Sequence, residues 1–107
     1  MQKLEIHRQL VCSTNHITRE DGQKLDDEFG VRQSGLLHVY EKPGYGWWIY
    51  VKTHSLEAKK GKMRLLREDF KFSQAFVNLI RFARRHKCEW IMLDTDGKNI
   101  EGLPTFD

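Results

Sequence analysis

Cysteine is scarce in this 107-residue chain. Cys12 and Cys88 are the only two, too few for a disulfide-stapled secreted scaffold and consistent with reduced thiols in a cytoplasm. Long apolar runs are missing as well. The start, Met1 to Arg8, has no apolar h-region, and no later stretch approaches the roughly 18 uninterrupted apolar residues of a membrane span. A cytoplasmic protein with no membrane partner is therefore expected. A strong excess of one charge is also absent: 18 Lys and Arg against 15 Asp and Glu leave +3, well short of a dedicated nucleic-acid neutraliser. Motifs of catalysis are lacking too. No P-loop, His-Glu-x-x-His, paired-carboxylate or Ser-His-Asp arrangement can be assembled, so no catalytic residue, metal ligand or cofactor is assigned, and an enzyme is only the third reading. Asp94, Asp96 and Gly97 look like the start of a calcium loop, but Lys98 stands where the next carboxylate is needed, and a turn after a strand is the simpler meaning.

What the chain does have is bulky side chains: six Phe, three Trp and three Tyr in a sequence that is 39% hydrophobic, enough to build one core at a length that holds one domain. Residues 8–13 read as a short buried strand. Thr18 and Asp21 have the spacing of a capping box and open a helix, in which Leu25 and Phe29 form an i, i+4 apolar pair, Gly22 permits close approach to a sheet and Gly30 is the stop. Leu36–Glu41 and Gly46–Lys52, separated by Lys42-Pro43-Gly44, make a β-hairpin. Residues 53–71 lose all period and read as a long basic loop with at most one helical turn, with Ser55 as a cap. Ser73 caps a second helix whose face of Phe72, Phe76, Leu79, Ile80 and Ala83 opposes one of Gln74, Asn78, Arg81 and Arg85. A strand over 88–94 follows, then a turn at Asp96-Gly97. The tail, residues 98–107, carries Ile100, Leu103 and Phe106 and is expected to pack on the domain.

The order strand, helix, strand, strand, helix, strand predicts a single two-layer α+β domain over residues 1–107, with a ferredoxin-like four-stranded antiparallel sheet. In that arrangement the first and last strands are antiparallel neighbours. Cys12 would then lie beside Cys88, with His16 and His86 at the same end, a tetrahedral ligand set whose spacings match no recognised zinc knuckle; two reduced, mostly buried thiols are expected instead. The strands also fail to alternate. Trp48 and Tyr50 oppose Trp47, Ile49 and Val51, and Trp90 and Met92 oppose Ile91 and Leu93, so both sheet faces are apolar and something must cover the second. Coverage by the 53–71 segment or the tail is the simplest expectation; a second copy or a partner is the other.

Two features point toward binding. Gly44-Tyr45-Gly46-Trp47-Trp48-Ile49-Tyr50 echoes the aromatic strand of RNA-recognition domains, in which alternate rings stack on unpaired bases, and marks Tyr45 and Trp47 as candidates. Residues 52–87 also carry a local balance of +8 while the remainder sums to −5, which marks Lys59, Lys60, Lys62, Arg64 and Arg67 as candidate contacts for phosphate or an acidic protein.

The segments Ser13-Thr14-Asn15-His16-Ile17-Thr18, Tyr45-Gly46-Trp47, Cys88-Glu89-Trp90 through Asp94-Thr95-Asp96-Gly97, and Gly102-Leu103-Pro104-Thr105-Phe106-Asp107 resemble an uncharacterised family of small proteins carried on proteobacterial plasmids and integrated elements. The resemblance spans about residues 10 to 107. It transfers no catalytic residue; it implies a mobile-element setting, in which small non-enzymatic proteins often bind a host or defence component. The expectation is a binding module acting on an unknown protein partner or as a homodimer, with single-stranded nucleic acid as the alternative through residues 45–51 and 59–71.

Overall fold

The structure is a computed structural model that describes residues 2–57 and 62–106. The chain begins its ordered core with β1 (Gln9–Ser13) and α1 (Arg19–Asp26), followed by the short α2 (Val31–Ser34). The hairpin is β2 (His38–Lys42) and β3 (Gly46–Tyr50). Two short helices, α3 (His54–Glu57) and α4 (Arg64–Glu68), precede the long α5 (Gln74–Arg85) and the final β4 (Trp90–Asp94). The architecture is α+β. The helices lie on one face of a four-stranded sheet, and their apolar sides close the core over Cys12, Ile49, Ile91 and Leu93.

Local chemistry sets the ends of these elements. At α1, Thr18 and Asp21 form the reciprocal capping box that their spacing implies. Where a Cβ would stand on Gly22, the Trp47 ring is 3.1 Å away, so even an alanine there would require the ring or the helix to give by a few tenths of an ångström. The hairpin turns at Pro43 and Gly44, whose φ of 79° is the left-handed value a type II turn needs. Three expectations fail locally. Phe29 is not part of α1: the helix stops at Asp26 because the Asp27 side chain accepts from the Phe29 amide (2.9 Å), and the ring stands 80% exposed. The 53–71 segment holds two helices rather than one turn. Its first is capped by Thr53, not Ser55; the Thr53 hydroxyl accepts from the Leu56 amide (3.3 Å) and donates to the Leu36 carbonyl (2.7 Å).

The sheet itself differs from the expected one. Its strand order is β1-β4-β3-β2, and although β2, β3 and β4 pair antiparallel, β1 pairs parallel with β4. The sheet is mixed, and the ferredoxin-like order is not formed. The reason lies in residues 51–73. Val51, just past the end of β3, bonds to Glu89 at the start of β4 (2.9 Å), so a helix leaving β3 at once would have delivered β4 in the opposite sense. Instead the chain returns along the sheet through α3 and α4, and Ser73 arrives beside Asp21, just beyond the far end of β1. From there α5, about 18 Å long, runs back before β4 begins. The last strand is thereby turned parallel to the first.

That reversal separates the thiols. Cys12 is opposite Leu93, which places Cys88 five residues, roughly 16 Å, down the neighbouring strand, beyond disulfide reach. His16 and His86 also fall at opposite ends, and no cluster of metal-ligating side chains occurs among the described residues. Both thiols are free and buried, and burial pushes the Cys12 thiol up to about 12.

His16 is used structurally. Its Nδ1 lies 2.8 Å from the Pro104 carbonyl oxygen and its Nε2 accepts from the Ile100 amide at 2.8 Å, while Phe106 donates its amide to the Asn15 carbonyl. That pattern selects the neutral ring with its proton on Nδ1. The tail is strapped across the end of β1.

Candidate functional site: an open aromatic sheet face

The pairing register sorts the strand residues into two sets. Leu10, Cys12, Ile91, Leu93, Ile49, Trp47 and Val39 meet the helices. The other face carries two aromatic-rich rows running across the sheet: Gln9, Trp90, Tyr50 and His38, then Val11, Met92, Trp48 and Tyr40. A third row, Ser13, Asp94, Gly46 and Lys42, is polar.

No described helix or tail residue covers these rows, because α5, α4 and the strapped tail all lie on the helical side. Tyr40 is 53% and Val11 45% exposed, and Trp48, Tyr50 and Trp90 are half-buried among neighbours on the same face. The expectation of self-coverage is thus corrected among the described residues. The rings form a continuous surface. Tyr50 and Trp90 have centroids 5.0 Å apart, Tyr40 and Trp90 5.9 Å, and His38 and Tyr50 stack at 5.9 Å, within the range of favourable aromatic pairs. A shallow cavity of about 530 Å³ opens between Tyr40, Trp48, Trp90, Gln9 and His7.

An ion-paired cluster stands at each end of this face. At one end, Lys42 Nζ bonds to Asp94 (2.7 Å) and sits 5.5 Å above the Trp48 ring and 5.4 Å above Tyr45. Lys42 beside it, with the Asp96 amide, holds the Asp94 carboxyl below its ordinary value. At the other end, His7 bonds through Nδ1 to Glu89 (2.5 Å) and through Nε2 to Glu5 (2.9 Å). The Glu89 bond, then the Glu5 bond, raise the His7 imidazole above its ordinary 6.5, and the same His7 bond lowers Glu89.

These shifts fix a pH window for the anchoring of residues 5–7 beside the face. The raised imidazole stabilises the folded state fully below the unfolded value near 6.5, and its contribution is lost as pH rises through the higher folded value. The lowered Glu89 carboxyl acts in the other sense, losing its contribution as pH falls through its depressed folded value, and the lowered Asp94 carboxyl does the same at the Lys42 end. An NMR titration of the His7 ring is expected to show a midpoint above 6.5 that Glu89→Gln moves back down. A midpoint at or below 6.5, or one indifferent to that substitution, would contradict the pairing.

The residues singled out from the sequence do not converge on this face. Tyr45 stands at its corner, on the hairpin tip, 49% exposed. Trp47 points the opposite way, packed on Gly22 with its Nε1 donating to Asp26 (2.8 Å). Lys62, Arg64 and Arg67 lie on the helical side. Arg64 pairs loosely with Glu68 (3.6 Å), and Arg67 donates to the Phe72 carbonyl (2.7 Å), a structural bond. Lys59 and Lys60 lie outside the described residues. The rings of the face, Tyr40, Tyr50 and Trp90, were not among those candidates. Their signal was the period of two in each strand, which the motif echo around Tyr45 and Trp47 obscured.

Residues 9–107 match the C-terminal domain of a family of unknown function, DUF5983. The chain belongs to the DUF5983 family. Neither a curated protein nor a solved structure matches it. The open face is therefore a feature of a DUF5983 domain that is argued from its own geometry. Among the described residues no helix of this domain is long and apolar enough to cross a membrane.

Proposed function

We propose that this DUF5983 domain is a non-enzymatic protein-binding module whose open aromatic sheet face is its interface, with a second copy of the chain as the occupant. One observation carries the reading: a contiguous apolar surface stands open, with Lys42 and Asp94 paired at one end and His7 and Glu89 paired at the other. Exposed apolar patches of this kind mark interaction sites. A partner selected by charge would leave unpaired charges of one sign around the face. A self-complementary contact requires only that the face meet its own copy without repulsion. Turned end for end on a two-fold axis, each copy sets its Lys42–Asp94 end over the His7–Glu89 end of the other, and no like charges are forced together. Two such faces pack as a sheet sandwich with side chains interleaved.

Hydroxyl-radical footprinting at rising protein concentration tests this. Tyr40, Trp48 and Trp90 are expected to become protected while Phe29, exposed and off the face, stays reactive. Uniform reactivity at all concentrations would remove the self-association reading. Single-stranded nucleic acid is the second reading, favoured by Tyr40, Trp48 and Trp90 standing on one open face; protection of those rings only on adding an oligonucleotide would select it. The plasmid or integrated-element setting implied by the resemblance, and a cytoplasmic location suited to two free thiols, belong to the same proposal.

A further inference from the structure

On the helical side, remote from the aromatic face, α5 borders a groove of about 930 Å³. One wall is α5 itself, which presents Arg81, Arg84 and Arg85; the floor and far wall are Leu56, Met63 and Leu103. The far wall is fixed, because the tail that carries Leu103 is strapped by the two bonds of His16. One arginine is fixed too. Arg84 Nη1 donates to the Leu56 carbonyl at 3.2 Å, which holds its guanidinium at the groove edge. Arg81 and Arg85 are exposed, one helical turn apart, and no carboxylate among the described residues pairs with either.

An arginine row on the outer side of an amphipathic helix is ordinarily a solvated surface. Here it is the wall of a concave site with an aliphatic floor, and that combination limits what fits. Guanidinium forks take planar carboxylates or phosphates in paired hydrogen bonds. A single-stranded nucleic acid would also need rings on which to stack its bases, and no aromatic side chain lines this groove among the described residues. Leucine-sized side chains, by contrast, match Leu56, Met63 and Leu103. The spacing of Arg81 and Arg85 equals the i, i+4 spacing of carboxylates along one face of a helix.

We propose that this groove is a second binding site, taking an acidic segment of a partner protein whose leucine-type side chains lie on the floor while its carboxylates pair with Arg81 and Arg85. The site is independent of the self-association proposed above, since it uses the opposite side of the sheet. Part of the +8 local charge read from residues 52–87 is thereby given a use.

The test is fluorescence anisotropy with a labelled peptide of alternating Leu and Glu at helical spacing, beside a Leu and Lys peptide and an oligothymidylate. The acidic peptide is expected to bind saturably with a dissociation constant in the micromolar range, weakening with salt, while the basic peptide does not bind. R81E with R85E is expected to weaken it at least about tenfold with the thermal transition unchanged, since neither side chain packs in the core. Should the double reversal unfold the chain, Arg81→Gln and Arg85→Gln taken singly carry the same test, each expected to weaken binding about threefold. Absence of saturable binding, indifference to these substitutions, or tighter binding of oligothymidylate would each overturn the proposal.

Discussion

Replacing Asp21 by alanine is expected to destabilise the domain by about 3–5 kcal/mol, a large part of the roughly 5–15 kcal/mol that holds a typical domain folded. The Asp21 carboxylate is 1% exposed and joins two helix starts. It accepts from the Thr18 amide (3.0 Å), completing the cap of α1, and also from the Ser73 amide (2.8 Å) and the Ser73 hydroxyl (2.5 Å). Ser73 in turn caps α5, its Oγ accepting from the Phe76 amide (3.1 Å). Both helix dipoles favour a negative charge at this point, which is why a carboxylate with no cation partner among the described residues is tolerated there. Alanine would leave two half-buried backbone donors, the Thr18 and Ser73 amides, without this acceptor. Asp21→Asn, which keeps one acceptor oxygen, is expected to lose less. Urea unfolding checks both, and a loss under about 1 kcal/mol for alanine would show that the two caps are not coupled through this residue.

The Phe76→Ala substitution is expected to have a comparable effect, again about 3–5 kcal/mol. Phe76 is fully buried, and its ring stacks on Phe72 with centroids 4.3 Å apart and planes 17° from parallel. Truncation would empty the space between α5 and the sheet and leave Phe72 without its neighbour, so a cavity term adds to the lost transfer energy. Gln74→Ala, two residues earlier on the exposed side, removes only a bond to Asn78 (2.9 Å) and is expected to change stability by less than about 0.5 kcal/mol. Equal and small effects in urea melts would refute the phase assigned to α5.

These two residues also show what could be read in advance. The facing of Phe76 follows from helical period alone, and the caps at Thr18–Asp21 and at Ser73 follow from local spacing. That the two caps share one carboxylate could not be read, because it depends on where residues 53–71 deliver the chain, and that stretch carries no apolar period. The same gap hid the direction of β4, and with it the distance between Cys12 and Cys88. Phe29 misled for a local reason: an i, i+4 partner of Leu25 is apparent only if the helix continues, and the Asp27 side chain ends it. The two apolar faces of the sheet were legible in the alternation of Trp48, Tyr50, Trp90 and Met92. Which face stays open was not, since it rests on long-range placement of the tail by His16.

Sedimentation equilibrium tests the role of that open face most directly. The chain is expected to approach twice its 12.7 kDa mass as concentration rises into the range of about 100 µM. Tyr40→Lys, which puts a charge on a half-exposed edge-strand position without disturbing the core, is expected to remain at 12.7 kDa over the same range. A wild-type chain that sediments at 12.7 kDa throughout, or a Tyr40→Lys chain that associates as the wild type does, would contradict the account.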